Sequence, residues 1–407
     1  MAKNSDLYED DEIDIVETRS KKGQGNKKKK PINLKLVLLI EVIILIVLGI
    51  FYAIWSLNHA VDQIQYEEIK PEEIEINTEE GVGIDEEALK EMTTGYTSIA
   101  LFGGDSRQGS VGKGAHSDAI LVANINNETK EVKLVSVYRD SLLQIAFESK
   151  EPSTDKVTQA HFYGGPKMAI NTLNRNLDLA IKDYVSVNFQ AVMKAVDVVG
   201  GVEITLKKKE LKKFNMSIKE QDKHYHTGLP LIDTPGTYLM NGTQALAYAR
   251  IRNTDQGDIT RTERQRHVIS LVVAKVKKQG IGKLNELVDQ VFPYISTSIS
   301  KAELLEMAKS IFDYELTDNT GFPFTFGSIM LGKKGAVLPP ATLETNVIAL
   351  HKWMFDDENY QPSQTVKNIS QGIITESGVQ AKEIKFKDKT TTEESSDSSS
   401  EASTASN

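Results

Sequence analysis

The sequence predicts an α/β protein: a three-layer α/β/α-type sandwich with a central mixed sheet, preceded by one N-terminal transmembrane helix. Two patterns carry this prediction. A strand, an amphipathic helix and a second strand follow one another over residues 183–206, and Gly200-Gly201 ends the helix. An apolar run begins at residue 34, directly after four lysines, and has about the twenty residues that a membrane span needs.

Composition narrows the possible classes of protein. The 407 residues, of which 40% are hydrophobic, suffice for one large or two ordinary domains. The absence of cysteine excludes disulfides, thiolate zinc sites and cysteine nucleophiles. The net charge of −9 argues against a nucleic-acid-binding protein, and the segment before the apolar run is too short for a DNA-binding fold.

The N-terminal part reads as a membrane anchor. Residues 1–33 mix acidic and basic clusters without apolar periodicity, which predicts a disordered cytoplasmic segment. Residues 34–57 form an uncleaved signal anchor, because the lysines hold the N-terminus in the cytoplasm and no clear cleavage site follows. Residues 58–93, rich in Glu, Ile and Lys, predict an extracellular stalk. We therefore expect a single-pass type II protein of the cell membrane, with its domain outside the cell.

The globular domain is expected over residues 94–365. Apolar runs predict strands at 98–102, 119–125 and 132–137, before the alternating region. A helix is expected from Pro166, since proline favours the first helical position. Helical and strand patterns from about residue 281 complete the same domain. Residues 366–407 form a C-terminal extension whose Ser, Thr and Glu-rich end predicts disorder.

Two carboxylates stand at strand ends. Asp105 follows the first strand and Asp118 precedes the second. Ligands of open α/β sheets bind at the carboxyl ends of strands, and Mg²⁺ takes one or two carboxylates together with water and phosphate. The pair is compatible with one shared ion. Taken singly, an aspartate in a loop is more often a turn former.

An arginine-rich stretch covers residues 249–266, with five arginines around a Gly-Asp turn. Thr260 and Glu263 have the spacing of a capping box, which predicts a helix from Arg261. Arg261 and Gln265 would share a helix face that is polar at its N-terminal end and apolar beyond. Planar guanidinium groups bind phosphate oxygens with two hydrogen bonds. Salt bridges to the many acidic residues explain the same spacing equally well.

Seven ordered blocks resemble the signature blocks of the LytR-CpsA-Psr family over about residues 96–278. They are residues 102–107, 117–118, 135–140, 163–166, 199–202, 245–252 and 257–265. Members of that family are membrane-anchored enzymes of the Gram-positive envelope. They move an anionic glycopolymer, such as teichoic acid or capsular polysaccharide, from a polyprenyl-pyrophosphate carrier to peptidoglycan.

The resemblance implies roles for individual residues. Asp105 and Asp118 would hold Mg²⁺, or Mn²⁺ in its place, on the pyrophosphate. Oxygens of the pyrophosphate would be bound by Arg107, Arg139, Arg250, Arg252 and Arg261. Gln265 would lie beside the same head group and Lys156 at the pocket entrance. From the chemistry of the transfer, and not from the resemblance, a carboxylate such as Asp258 or Asp140 is expected to accept the proton of the incoming hydroxyl.

Two residues depart from the family pattern: His116 stands where arginine is usual, and Tyr138 where proline is usual. An imidazole facing pyrophosphate would replace the arginine charge only at mildly acidic pH. The alternatives are that His116 is a neutral hydrogen-bond donor, or that it turns to solvent while Lys113 supplies the charge.

The polyprenyl chain needs an apolar slot. The helices at 166–177, 189–199 and 265–276 could line one, although such faces are more often ordinary core. Two other functions stay open: a pyrophosphatase acting on the same lipid, and a non-catalytic binder of envelope polyanions or regulator.

Overall fold

A computed structural model describes residues 62–104, 114, 116–148, 151–251 and 258–384. The predicted cytoplasmic segment, the predicted anchor at 34–57 and the predicted tail from about residue 389 lie outside these ranges. None of the helices within them is both long enough and apolar enough to cross a membrane.

Strands and helices alternate along the described chain. The strands are β1 (Gln65–Tyr66), β2 (Ile76–Thr78), β3 (Gly81–Gly83), β4 (Tyr96–Gly104), β5 (Ser117–Asn126), β6 (Glu131–Val137), β7 (Leu142–Ile145), β8 (Ser153–Lys156), β9 (Asp183–Asn188), β10 (Val202–Leu206), β11 (Gly236–Met240), β12 (Ile295–Thr297), β13 (Glu315–Phe322), β14 (Ile329–Met330) and β15 (Ala336–Val337). The helices are α1 (Glu86–Met92), α2 (Thr158–Leu177), α3 (Phe189–Val198), α4 (Leu211–Tyr225), α5 (Gly242–Ala249), α6 (Asp258–Gln279), α7 (Ile281–Val291), α8 (Lys301–Lys309), α9 (Leu343–Phe355) and α10 (Gln364–Ser377).

A mixed sheet organises the fold. Its strand order is β1-β12-β9-β4-β5-β6-β13. β4 runs parallel to β9 and antiparallel to β5, and β13 runs parallel to β6. Strands β4, β5, β6 and β9 match the predicted ones within two residues at either end, because their apolar runs are bounded by turn residues. The predicted α/β fold with a central mixed sheet is confirmed.

One face of the sheet carries the main core. Ala100 and Phe102 of β4 point to this face, with Ile120 and Val122 of β5. Helices α2, α9 and α10 cover them. Helix α2 breaks at Gly165, whose φ of 70° lies in the region that favours glycine, so its second part begins at Pro166 as predicted. This face is buried mainly by apolar packing, and Asn124 of β5 also donates to the backbone oxygen of Met354 in α9.

The opposite face meets α3, α5 and α6. Beside these helices, β10 and β11 form a separate antiparallel pair covered by α4, and we call β10, β11 and α4 the wing. The β-α-β pattern at 183–206 predicts that both of its strands belong to one sandwich. This prediction is wrong for the last strand, β10, which lies outside the central sheet. β10 pairs only with β11 among the described strands, because its buried residues Val202 and Ile204 pack against α4.

Both predicted domain boundaries require correction. Residues 62–93 are part of the domain and not a stalk: β1 joins the sheet beside β12, and Ile74 and Ile76 are buried in the main core. Glu75 also pairs with Arg175 of α2, at 2.6 Å. At the other end, Val366 and Ile373 of α10 belong to the same core, so the domain continues past residue 365.

Candidate active site

Asp118 lies at a β-bulge between β4 and β5. Gly103 pairs with Ala119 and Gly104 pairs with Ser117, which leaves Asp118 as the extra residue. Strict alternation from Ile120 would direct Asp118 into the main core. The bulge instead directs its carboxylate to the opposite face, since a bulge changes the direction of the side chains next to it. Gly104 directly precedes Asp105 in the sequence.

Two arginines converge on Asp118. Arg139 follows β6, which runs antiparallel to β5, and its guanidinium forms a close ion pair with the Asp118 carboxylate. Arg261, on the first turns of α6, is 1% exposed; its Nη2 donates to the backbone oxygen of Asp118 at 2.9 Å. Arg261 Nη1 lies 3.9 Å from the Asp118 carboxylate. Among the described side chains, two guanidinium groups thus meet at the Asp118 carboxylate, and guanidinium groups bind phosphate oxygens well.

An apolar cavity of about 310 Å³ opens from this position. Its polar lining groups include Asp118, Arg250 and Gln265, and its remaining walls are almost wholly apolar. Along α6 the lining changes from Gln265 to Val268 and Val272, so polarity falls with distance from Asp118. Such a cavity accommodates a molecule with a charged head and an apolar tail.

The walls of the cavity come from helices α3, α5 and α6 and from the face of β4, β5 and β9 that is opposite the main core. Helices at 189–199 and 265–276 were among the three proposed to line a slot, and both do so. The third, at 166–177, does not, because α2 lies in the main core on the other face of the sheet.

Arg250 directly follows α5 and lines the cavity. Its guanidinium carbon lies 4.7 Å from the centre of the Phe189 ring, a cation-π contact. Its Nη2 lies 3.7 Å from Glu220 of the wing helix α4. The aromatic ring and the carboxylate hold the guanidinium at the cavity edge.

Lys156 and Asp140 form an ion pair at 3.0 Å, and Asp140 also lies 3.8 Å from Arg139 Nε. Lys156 is not among the residues that line the described cavity. The contact with Arg139 makes Asp140 a positioning residue for that guanidinium.

His116 is exposed, and its ring stacks on Phe162 with centroids 4.5 Å apart and planes 11° apart. Of the three alternatives for His116, this geometry agrees with the one in which the ring turns to solvent. Tyr138 is buried, and its hydroxyl occupies the space beside Gly321, where any Cβ would collide with it.

Helix α6 begins at Asp258, three residues before the predicted start. Thr260 is therefore helical, and it is not the cap that its spacing with Glu263 indicated. Two of the five arginines on this stretch bind side chains from other elements of the fold. Arg264 pairs with the buried Glu210 at 2.7 Å, and Arg266 donates to Asn319 at 2.9 Å. Burial lowers the pKa of Arg266.

Four predicted site residues lie outside what is described: Asp105, Arg107, Arg252 and the side chain of Asp258. Their assignments stay predictions. Within the described ranges, no three His, Asp or Glu side chains are grouped as metal ligands.

Sequence reasoning missed Asn188, Phe189 and Glu220. Asn188 ends β9, lines the cavity and caps α3 by accepting from the backbone of Ala191 at 2.9 Å. Asparagine before an apolar helix is a recognisable N-cap signal. The contacts of Phe189 and Glu220 with Arg250 are tertiary and leave no local signal.

The model of the LytR_cpsA_psr family matches residues 52–319. The chain belongs to this family. It is 33% identical over 210 residues to Biofilm regulatory protein A of Streptococcus mutans, a match that covers 50% of each chain. It is 30% identical over 213 residues to the polyisoprenyl-teichoic acid–peptidoglycan teichoic acid transferase TagU of Enterococcus faecalis. That match covers 52% of this chain and 64% of the relative, so the chain spans half to about two thirds of these relatives.

Solved structures agree on the LytR_cpsA_psr fold. Protein gbs0355 of Streptococcus agalactiae superposes with a TM-score of 0.56 at 25% identity, covering 68% of this chain and 92% of that one. A structure titled "TagT bound to LI-WTA" has a TM-score of 0.50 at 24% identity, covering 66% and 93%. The second likeness concerns the fold alone.

Proposed function

We propose that this protein is a Mg²⁺-dependent phosphotransferase that attaches an anionic glycopolymer, carried on polyprenyl pyrophosphate, to peptidoglycan. We further propose that it acts outside the cell, anchored by one N-terminal transmembrane segment. The names of the relatives support a transferase of teichoic acid type. Teichoic acid and capsular polysaccharide are both compatible with the site.

The observation that carries the proposal is the polarity of the cavity. Arg250 and Asp118 line the cavity, Arg139 and Arg261 contact Asp118, and the other lining side chains are mostly aliphatic. A sugar nucleotide would leave the apolar walls without a partner. A free lipid carries no phosphate oxygen that the guanidinium groups beside the cavity could bind. A polyprenyl chain with a pyrophosphate head satisfies both ends.

The donors at this end fit a magnesium ion. Mg²⁺ binds one or two protein carboxylates and completes its shell with water and phosphate oxygens. Asp118 provides one carboxylate at the cavity edge. We assign the second to Asp105, which directly follows Gly104, the residue that pairs with Ser117 in the sheet. The bound ion would neutralise charge on the pyrophosphate.

The reaction needs positioning and charge neutralisation rather than a protein nucleophile. A peptidoglycan hydroxyl attacks the phosphorus that carries the sugar, and the bond from that phosphorus to the bridging oxygen breaks. Polyprenyl phosphate leaves with the electron pair, and the hydroxyl proton passes to a base. Arg139, Arg250 and Arg261 stabilise the charge on the phosphate oxygens. We assign the base to Asp258, since Asp140 is held by Lys156.

The test uses the full chain in neutral detergent with Mg²⁺, a radiolabelled polyprenyl-pyrophosphate glycan and peptidoglycan. We expect the label to become covalently attached to peptidoglycan, and we expect no attachment when the metal is chelated beforehand. Release of the phosphorylated glycan into water would identify a pyrophosphatase instead. Binding of the lipid without either product would identify a non-catalytic binder.

A further inference from the structure

The wing helix α4 carries a lysine-rich face. The stretch from residue 207 to 226 contains seven lysines and three carboxylates, whereas the whole chain has a net charge of −9. Lys212, Lys219 and Lys223 are exposed on the side of α4 opposite its buried residues Phe214 and Ile218. Lys207 and Lys208 are also exposed, just before the helix. We call these five lysines the lysine face.

The carboxylates of the wing helix do not neutralise this face. Glu210 is buried and bound to Arg264, and Glu220 lies against Arg250. Asp222 accepts hydrogen bonds from the turn that follows the helix. Helical lysines are commonly paired with carboxylates three or four residues away. Among the described residues, the five lysines of this face form no such pair, so the face keeps its positive charge.

The helix that carries the lysine face contacts the segment at the polar end of the cavity. Glu220, in the middle of α4, is 3.7 Å from Arg250, which lines the cavity. At the start of α4, Glu210 binds Arg264, whose Nη1 donates to the backbone oxygen of Ile251 at 3.2 Å. Helix α4 is thus attached at two points to the segment that positions Arg250.

We propose that the lysine face binds the anionic backbone of the glycopolymer beyond its pyrophosphate end. This inference rests on the proposed function, and it assigns a second, extended subsite to the same substrate. Lys212 and Lys223 are separated by about 16 Å along the helix, at about 1.5 Å per residue, a span that covers several charged repeats. Flexible ammonium groups suit phosphates of variable spacing, unlike the fixed fork of arginine.

The test measures binding of soluble poly(glycerol phosphate), which has no lipid end, to the full chain in neutral detergent. The variant carries Lys212→Gln, Lys219→Gln and Lys223→Gln. We expect about tenfold weaker binding at 0.1 M salt. The plot of log affinity against log salt should become less steep by about 2, because each of the three lost contacts with a flexible polyanion contributes about 0.7 to the slope.

A matched control replaces three exposed lysines elsewhere, Lys90, Lys277 and Lys278, by glutamine, and so changes the net charge equally. It should bind the polymer as the wild type does. Arginine at the three wing positions should restore affinity, because it restores the charge.

Equal affinities and salt slopes for the two glutamine variants would overturn the proposal. Failure of the wild type to bind the polymer would also overturn it. So would weaker binding to phosphatidylglycerol bilayers, with unchanged polymer binding, in the wing variant but not in the control, since the face would then contact the membrane. No turnover is measured, so a failed transfer assay with normal polymer binding would refute only the transferase activity.

Discussion

The buried pair between Glu210 and Arg264 should control both stability and the position of Arg250. Arg264 donates to Glu210 Oε1 through Nε at 3.1 Å and through Nη2 at 2.7 Å, and its Nη1 donates to Ile251. Both side chains are almost fully buried. Arg264→Met removes the cation and leaves the carboxylate without its main partner.

The expected loss follows from this burial. Removing one member of a buried ion pair costs about 3–5 kcal/mol, because the remaining charge is desolvated and unpaired. Glu210→Gln in the same chain removes that charge but keeps the side-chain oxygen that accepts from the backbone of Lys207 at 2.9 Å. The double variant should therefore recover part of the loss, by about 1–3 kcal/mol.

The assay is urea unfolding of both single variants and the double variant, followed by the lipid-pyrophosphate affinity of each folded protein. Because Arg264 holds Ile251, the residue after Arg250, we expect weaker lipid binding by Arg264→Met even where the protein is fully folded. A loss below about 1 kcal/mol, or a double variant no more stable than Arg264→Met, would refute the reasoning.

The remaining predictions concern the metal ligand, the cavity, the core and pH. Asp118→Asn should abolish Mg²⁺-dependent transfer, and wild-type rates at saturating Mg²⁺ would contradict its role as ligand. Arg250→Lys should weaken lipid-pyrophosphate binding about tenfold in titration calorimetry, because lysine keeps the charge but loses the bidentate fork; equal affinities would indicate only a diffuse positive field. Ile76→Ala, at a fully buried site, should lower the free energy of unfolding in urea by about 2–5 kcal/mol. Val82→Ala on the same hairpin should lower it much less, because Val82 is exposed. Similar losses for the two variants would argue that residues 62–93 are a stalk. Burial lowers the pKa of His351, so the free energy of unfolding should fall as pH drops through about 6.5, where only the unfolded chain takes up the proton. His351→Gln should reduce that slope while keeping a donor for the backbone of Leu177, and an unchanged slope would exclude His351 as its source.

The sequence was sufficient for four of the seven strands of the central sheet, β4, β5, β6 and β9, and for several of the cavity helices. Helix α3 was predicted to within one residue of its observed end, because Gly200-Gly201 follows it. This signal is local. Pairing of β10 with β11, and not with the central sheet, depends on packing against α4, which no local pattern records.

The candidate site was predictable as a set of residue types but not as a geometry. Arg139 and Asp118 were both named, yet their contact depends on the register of β5 with β6 and on the bulge at Asp118. A bulge leaves no clear mark in an apolar run. The role of Arg264 was equally invisible, because its partner Glu210 lies far away in the sequence.

The sheet separates two tasks that many enzymes combine in one core. Residues that hold the fold together, such as Ala100 and Ile120, lie on one face, and the cavity lies on the other. Substitutions at Val272 or Val192 therefore alter the shape of the cavity without disturbing the packing of α2, α9 and α10. A lineage with this arrangement can change the shape of the cavity by exchanging a few aliphatic residues, while the main core stays as it is.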